Sequence, residues 1–306
     1  MKILVAGASG RLGSEILDEL KERDCCTRAL VRHSALRAEA DEIVTGDARA
    51  AAALRGACDG VDVVISAMGA SLRPGLTKDR ATYRDVAYAA NKNLLDEALR
   101  AGVRKFIYVS LFGAERLKGV AYADAHEELV RALRASRIDY TVLRPTGFFY
   151  VNGEILKLAQ RGVGVVIGDG RARTNPVHER DVARACVEAI ETNVRERTVG
   201  GPEIFTRREI VELAFKCLGR PPKVMSISPG AMKTLIRPVR WVDERLYEFL
   251  TFGLAVTTTD LVAPPSGCRK LAAYFQQMVS RETNDAFAEY CHAKAGDSDI
   301  AGTGSN

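Results

Sequence analysis

The chain lacks any long hydrophobic run. No stretch approaches the ~20 apolar residues that a membrane-crossing helix needs. The apolar run after Met1-Lys2, Ile3-Leu4-Val5-Ala6, is too short for the apolar core of a signal peptide. The default expectation is a cytoplasmic protein without a membrane partner. Tracts of one charge are also missing. Lys plus Arg is 44 and Asp plus Glu is 39, spread along the chain, for a net +5. That balance excludes a nucleic-acid arm and suits an anionic small ligand. No pair of cysteines has Cys-x-x-Cys spacing, and the seven (Cys25, Cys26, Cys58, Cys186, Cys217, Cys268, Cys291) are odd in number. This points to a reducing environment with mostly buried thiols, and away from a disulfide framework or a metal site. The vicinal pair Cys25-Cys26 reads as a redox pair or as a strand-entry turn. Internal repeats are absent. What is present, 47% hydrophobic and 27% charged residues over 306 positions, is enough for one large domain or two moderate ones.

Apolar runs alternate with helical patterns through the first half. Ile3 to Ala6, Thr27 to Val31, Glu42 to Thr45, Val61 to Ser66, Lys105 to Val109 and Tyr140 to Leu143 read as strands, the third as an edge strand. Helices are expected at about 12–22, 80–100 and 122–135. Continuous apolar strands alternating with helices imply a doubly wound parallel sheet, a Rossmann-type α/β fold covered on both faces. After Pro145 the rhythm changes. Helices are expected at 154–160, 179–191, 206–218 and 271–278, with a hairpin-like stretch at 162–170. Thr206 and Glu209 have capping-box spacing. The expected division is a nucleotide-binding domain at 1–150, a smaller substrate-side region at 151–279, and a disordered tail at 280–306. A strand around Thr198 to Gly201 is expected to return to the main sheet.

Gly7-Ala8-Ser9-Gly10-Arg11-Leu12-Gly13 joins the first strand to the first helix. Gly7 turns the chain out of the strand, Gly10 leaves room for a pyrophosphate, and Gly13 lets the helix pack on the sheet. The amides from Ser9 through Leu12 then face the anion at a helix N-terminus. The second strand ends at Val31-Arg32, where an NAD site usually carries an acid. Arg32, followed by His33 and Arg37, and Arg11 in the loop, favour the extra phosphate of NADP(H). Asp47 after Gly46 is placed to accept from an adenine amino group, or to cap its loop.

These segments, with Val64-Ile65-Ser66-Ala67-Met68-Gly69, resemble an atypical short-chain dehydrogenase/reductase. Asn91 to Ala98, Ala101 to Ser110 and Ser136 to Pro145 narrow the resemblance to the NmrA-like group of NAD(P)-binding proteins. It extends over about residues 2–275. The group includes quinone and azo reductases, divinyl chlorophyllide reductases, a complex I accessory subunit and redox-sensing regulators. The resemblance places Ala67, Met68 and Gly69, and the turn Pro145-Thr146-Gly147, against the cofactor. It implies a Tyr-x-x-x-Lys pair with a nearby hydroxyl residue. Tyr122 occupies the tyrosine position, and His126 replaces the lysine. Ser110 ends the fifth strand near the hydroxyl position, while Leu111 aligns with the usual serine. A neutral His126 could hold the ribose yet shift the Tyr122 pKa little. A helix-surface tyrosine and an exposed helix histidine are the competing readings. Phe148 and Phe149 wall an apolar substrate pocket or fill a core corner. His178 and Asp181 read as caps.

The expected activity is NADPH-dependent reduction of a small, largely apolar acceptor: an enone, a quinone or a ketone. The alternative is a non-catalytic NADP(H) sensor or assembly factor. A nucleotide-sugar epimerase is disfavoured because the hydroxyl and lysine positions both depart.

Overall fold

A computed structural model describes residues 1–32, 38–69 and 82–281. The strands are Lys2–Ala6 (β1), Cys26–Val31 (β2), Glu42–Thr45 (β3), Val63–Ser66 (β4), Lys105–Val109 (β5), Asp139–Pro145 (β6), Gly164–Ile167 (β7), Arg173–Thr174 (β8), Glu196–Val199 (β9), Phe205–Thr206 (β10) and Val224–Ile227 (β11). Seven of them make one parallel sheet in the order β3-β2-β1-β4-β5-β6-β9. Every residue of β4 and β5 is buried, as continuous apolar strands require when helices cover both faces. β3 is the edge strand, and β9 is the returning strand expected near Thr198. The chain steps outward from β1 to β3 and then crosses back to β4. The resulting crevice opens at the carboxyl ends of β1 and β4.

The helices are Arg11–Leu20 (α1), Asn91–Arg100 (α2), Ala121–Ala135 (α3), Phe149–Gln160 (α4), Glu179–Glu188 (α5), Arg207–Cys217 (α6), Pro229–Ile236 (α7), Glu244–Thr258 (α8) and 271–281 (α9). Ile16, Leu17 and Leu20 of α1 join Val182, Cys186 and Val187 of α5 against Ile3, Val5 and Ile65 on one face. Leu94 and Leu95 of α2 and Leu129 and Leu133 of α3 pack against Leu4, Val64 and Phe106 on the other. Each fully buried side chain of this size contributes about 1.5–3 kcal/mol relative to exposure. The two apolar faces therefore fix the doubly wound arrangement. A third core joins Phe149 and Leu156 of α4, Ile210 and Phe215 of α6, and Leu271 and Phe275 of α9.

Several elements differ from the sequence reading. The 162–170 stretch is no hairpin: β7 pairs in parallel with β11, in the register Gly164↔Val224. The extended exit after Pro221-Pro222 supplies that partner from far along the chain. The expected 80–100 helix is described from 83 and begins with a π-helical turn over Asp85–Ala90. Residues 222–270, for which no element was expected, contain β11, α7 and α8. Of the tail, 280 and 281 complete α9, and 282–306 lie outside the described residues. The thiols are less buried than expected. Among the six described, Cys58 and Cys186 are buried, Cys25, Cys26 and Cys217 are half-buried, and Cys268 is exposed. Burial raises the Cys25 pKa and takes Cys58 to about 12. Cys26 opens β2, so the vicinal pair sits at a strand entry.

Candidate nucleotide-binding and reaction site

The glycine turn has the expected geometry. Gly7 has φ +77°, a left-handed conformation, and a Cβ there would lie 2.9 Å from the Ala67 carbonyl oxygen. A Cβ on Gly13 would overlap the Gly7 carbonyl oxygen. Gly10 is the N-cap of α1, and its own N–H bonds back to Gly7 O at 2.9 Å. No side chain caps this helix, and its first turn carries no acid. The amides of Arg11, Leu12 and Gly13 precede any intrahelical acceptor. With exposed Ser9 and Gly10 in front of them, they present an open, partly positive helix end. This end lies at the switch point between β1 and β4, and a dinucleotide pyrophosphate fits it.

Beyond the end of β2 the described residues bring Arg32, Asp47 and Arg49 near one another. Arg32 is exposed at the end of β2, and its charge acts on Asp47. Asp47 accepts from the Arg49 backbone N–H at 3.0 Å and from Arg49 Nε and Nη2 at 3.0 and 2.5 Å. Those bonds, with the nearby cations, lower its pKa to about 2. Asp47 thus caps its loop, and Arg49 is a cation the sequence reading missed. His33 and Arg37 lie outside the described residues. Arg11 makes contacts that the sequence did not suggest. Its guanidinium stands 5.5 Å from the Tyr150 ring centre and is hydrogen-bonded to Tyr274. Arg11 is thus engaged by residues of α4 and α9. It borders a cleft of about 730 Å³ with Lys157, Glu179, Tyr274 and Arg281.

At the other end of the crevice Asn91 organises the loop after β4. It is fully buried, accepts from Ser66 Oγ at 2.5 Å, and donates to the carbonyls of Met68, Val86 and Ala87 at 3.1–3.2 Å. It thus holds the Ala67-Met68-Gly69 segment against the π-helical turn. A Cβ on Gly69 would lie 3.6 Å from the Tyr122 hydroxyl. Tyr122 is half-buried, with its ring 5.2 Å from Tyr83, 4.7 Å from His126 and 4.7 Å from Phe252. Burial, then the neighbouring Tyr150 and Tyr83 phenols, push its pKa well up. Tyr122 is therefore not an ordinary surface tyrosine.

His126 is 2% exposed, so it is not an exposed histidine either. Its Nδ1 lies 2.6 Å from Tyr108 Oη. Burial pushes the Tyr108 pKa up, so the phenol keeps its proton, and its Oη also lies 3.4 Å from Ala87 O. Nε2 is buried without a partner among the described residues. Burial, aided by the Arg144 guanidinium, lowers the His126 pKa to about 3. The ring stays neutral and supplies no cation to Tyr122. Arg144 is itself held by Glu127 at 2.5 Å and Glu196 at 3.1 Å. Ser110 Oγ, at the end of β5, is also buried without a partner among the described residues. Leu111 and Phe112 follow it and join Phe252, Ala255 and Val256 in a small apolar cluster.

The turn after β6 is fixed by backbone bonds. Thr146 N donates to Val199 O at 3.0 Å, and its hydroxyl donates to Asn175 O at 2.5 Å. Pro145 O accepts from Phe112 N at 2.9 Å, and exposed Gly147 accepts from Val177 N at 2.9 Å. Phe148 is half-buried and stacks on Tyr150 at 5.6 Å. Phe149 is 1% exposed in the third core, against Tyr274 and His178. It fills the core corner and walls no pocket. His178 caps α5, accepting from Arg180 N at 3.1 Å. Asp181 is not a cap: it accepts from Cys268 N at 3.0 Å, Arg269 N at 3.2 Å and the Arg269 guanidinium.

A family model described as NAD(P)H-binding matches residues 7–193, more than half of the chain and all of the crevice. The chain belongs to this NAD(P)H-binding family. The Photosystem II assembly factor Ycf39 of Synechocystis sp. is 25% identical over 92% of this chain and 91% of its own. The NAD(P)H azoreductase of Xenophilus azovorans is 28% identical over 74% and 77%. Among solved structures, the NADPH complex of a quinone oxidoreductase from Escherichia coli superposes with a TM-score of 0.71. It covers 90% of this chain and 99% of its own at 21% identity, which shows the shared fold. Within this NAD(P)H-binding chain, the sequence reading missed Asn91, Tyr83 and Phe252. A buried-type Asn at the start of a helix was the one available signal; the other two reach the site only through packing.

Proposed function

We propose that the chain is an NADPH-dependent reductase of a small, largely apolar acceptor: an enone, a quinone or a ketone. Bound NADPH would supply the hydride, and the protein would orient the acceptor and stabilise developing negative charge. The observation that carries this reading is the Tyr122 phenol, standing against Gly69 at the nicotinamide end of the crevice. The phenol is protonated at neutral pH, so it can donate to an acceptor oxygen. With His126 neutral, nothing converts Tyr122 to the phenolate that alcohol oxidation would need. Reduction is thus the direction the electrostatics favour. Ser110 Oγ, lacking a partner, is a second donor for the acceptor or the cofactor. Tyr83, Leu111, Phe112 and Phe252 give the surroundings their apolar character. Arg32 supports NADPH over NADH, since its guanidinium sits where an NAD site carries an acid. Arg32→Asp is expected to move preference toward NADH by about tenfold or more, read as the ratio of the two dissociation constants.

A second reading, a non-catalytic NADP(H)-binding sensor or assembly factor, is favoured by the buried neutral His126 in place of a lysine. The full-length likeness to an assembly factor adds to it. One experiment separates the two. NADPH binding is measured by calorimetry, then NADPH oxidation is followed with quinones, enones and ketones. Turnover supports the reductase. Tight binding with no turnover across the panel supports the sensor. No heat of binding removes both.

A further inference from the structure

We propose that the corner formed by α7, the 237–241 turn and the start of α8 docks the protein on an anionic membrane surface. From Arg220 to Val242 the chain has five Lys or Arg and no Asp or Glu, and the exposed Asp243 and Glu244 follow directly at the start of α8. Lys233, Arg237 and Arg240 are exposed. Among and just after them stand the most exposed large apolar side chains of the described residues: Leu235 at 68%, Trp241 at 88% and Val242 at 90%. Trp241 is the chain's single tryptophan. Across 229–258 only Ile236 is buried, so this helical unit lies on the body as a projecting corner.

The pattern selects one occupant. Exposed apolar residues scattered singly are ordinary, but a Trp-Val tip near Leu235 and three exposed cations, with Asp243 and Glu244 on its far side, is not. A tip exposed to this degree is convex. A rigid protein partner would need a matching pocket, whereas a fluid interface needs none. An indole prefers the polar–apolar boundary of a bilayer, and each Lys or Arg near an anionic leaflet adds attraction. No helix among the described residues is long and apolar enough to cross a membrane, so the contact is peripheral. The proposal departs from the sequence-based expectation of no membrane partner. The same unit carries Phe252, which meets the Tyr122 ring at 4.7 Å. If the reductase reading holds, a bilayer-dissolved acceptor would be met on this face; the docking itself does not rest on that reading.

The single tryptophan is a built-in reporter. The purified full chain is titrated with vesicles of phosphatidylcholine, alone or with about one part in four phosphatidylglycerol. With the anionic vesicles we expect a blue shift of Trp241 emission and co-sedimentation, both weakened by salt. The double substitution Arg237→Gln and Arg240→Gln is expected to weaken binding about 25-fold, near fivefold per cation. Trp241→Ala, read by sedimentation, should also weaken it, while NADPH binding stays unchanged in both variants. No shift and no sedimentation with anionic vesicles would overturn the proposal. So would equal binding to neutral vesicles, or a blue shift that grows with protein concentration without lipid, which would assign the face to self-association. Because NADPH oxidation is assayed without vesicles, failure here is distinct from failure of the reductase reading.

Discussion

Tyr122 and His126 stand one helical turn apart on α3 with their rings in contact, yet they answer differently to burial. Burial holds the phenol in its protonated form and strips the imidazole of its proton. For the phenol the consequence is catalytic. Tyr122→Phe is expected to lower kcat by about 10²–10⁴-fold, the usual span for losing a general acid, with the heat of NADPH binding unchanged. For the imidazole it is a pH-dependent stability. In the unfolded chain His126 takes a proton below about 6.5, but in the folded chain only below about 3. Between those values the unfolded form binds the extra proton, so the folded state loses roughly 1 kcal/mol per pH unit as pH falls. The contribution is complete above about pH 6.5. Urea midpoints measured from neutral pH downward should show this slope, and His126→Gln should flatten it.

Among the elements, the β1 turn into α1 was the most legible part of the chain. Its three glycines, its register and its open helix end are set by neighbours within a few residues. Gly13→Ala tests it. The added methyl must displace the Gly7 carbonyl, so calorimetry should find NADPH binding lost or weakened by at least about a hundredfold; unchanged binding would refute the close approach. The capping box of α6 was legible for the same reason, because Thr206 and Glu209 are three residues apart and bond each other's backbone. The partner of β7 was not. Its glycines suggested a hairpin, but the parallel partner β11 arrives only after α6 and Pro221-Pro222. Nothing local encodes a pairing across that distance. α8 was likewise silent: its few charged residues crowd its first turns and the rest is half-buried on every side, so it offers no one-sided periodicity to read.

At the scale of the whole molecule, the C-terminal region is tied to the sheet by a few buried polar bonds as well as by apolar packing. Asp181 on α5 receives two backbone N–H groups and a guanidinium from Cys268 and Arg269, just before α9. Asp181→Asn is expected to cost about 2–4 kcal/mol, because the mutant amide cannot satisfy three donors and leaves Arg269 without its charge partner. A fall in Tm with no change in NADPH affinity would match this purely structural role. Asn175 is a second such tie. Its side chain donates to Gly201 O and Ala263 O and accepts from Ala263 N.

The sequence alone determined the doubly wound sheet, the glycine turn at its switch point and Arg32 at the end of β2. Those follow from runs of apolar residues and from spacings within single turns, where each residue's fate depends on its immediate neighbours. Tertiary structure decided the rest. It sent Arg11 to Tyr150 and Tyr274, clamped Asp47 with Arg49, buried Phe149 in the third core and closed His126 away from water. It also brought Phe252 over Tyr122 and left Trp241 projecting outward. The direction of a long side chain and the charge of a buried one depend on what distant segments pack around them, and that is set only when the chain has folded.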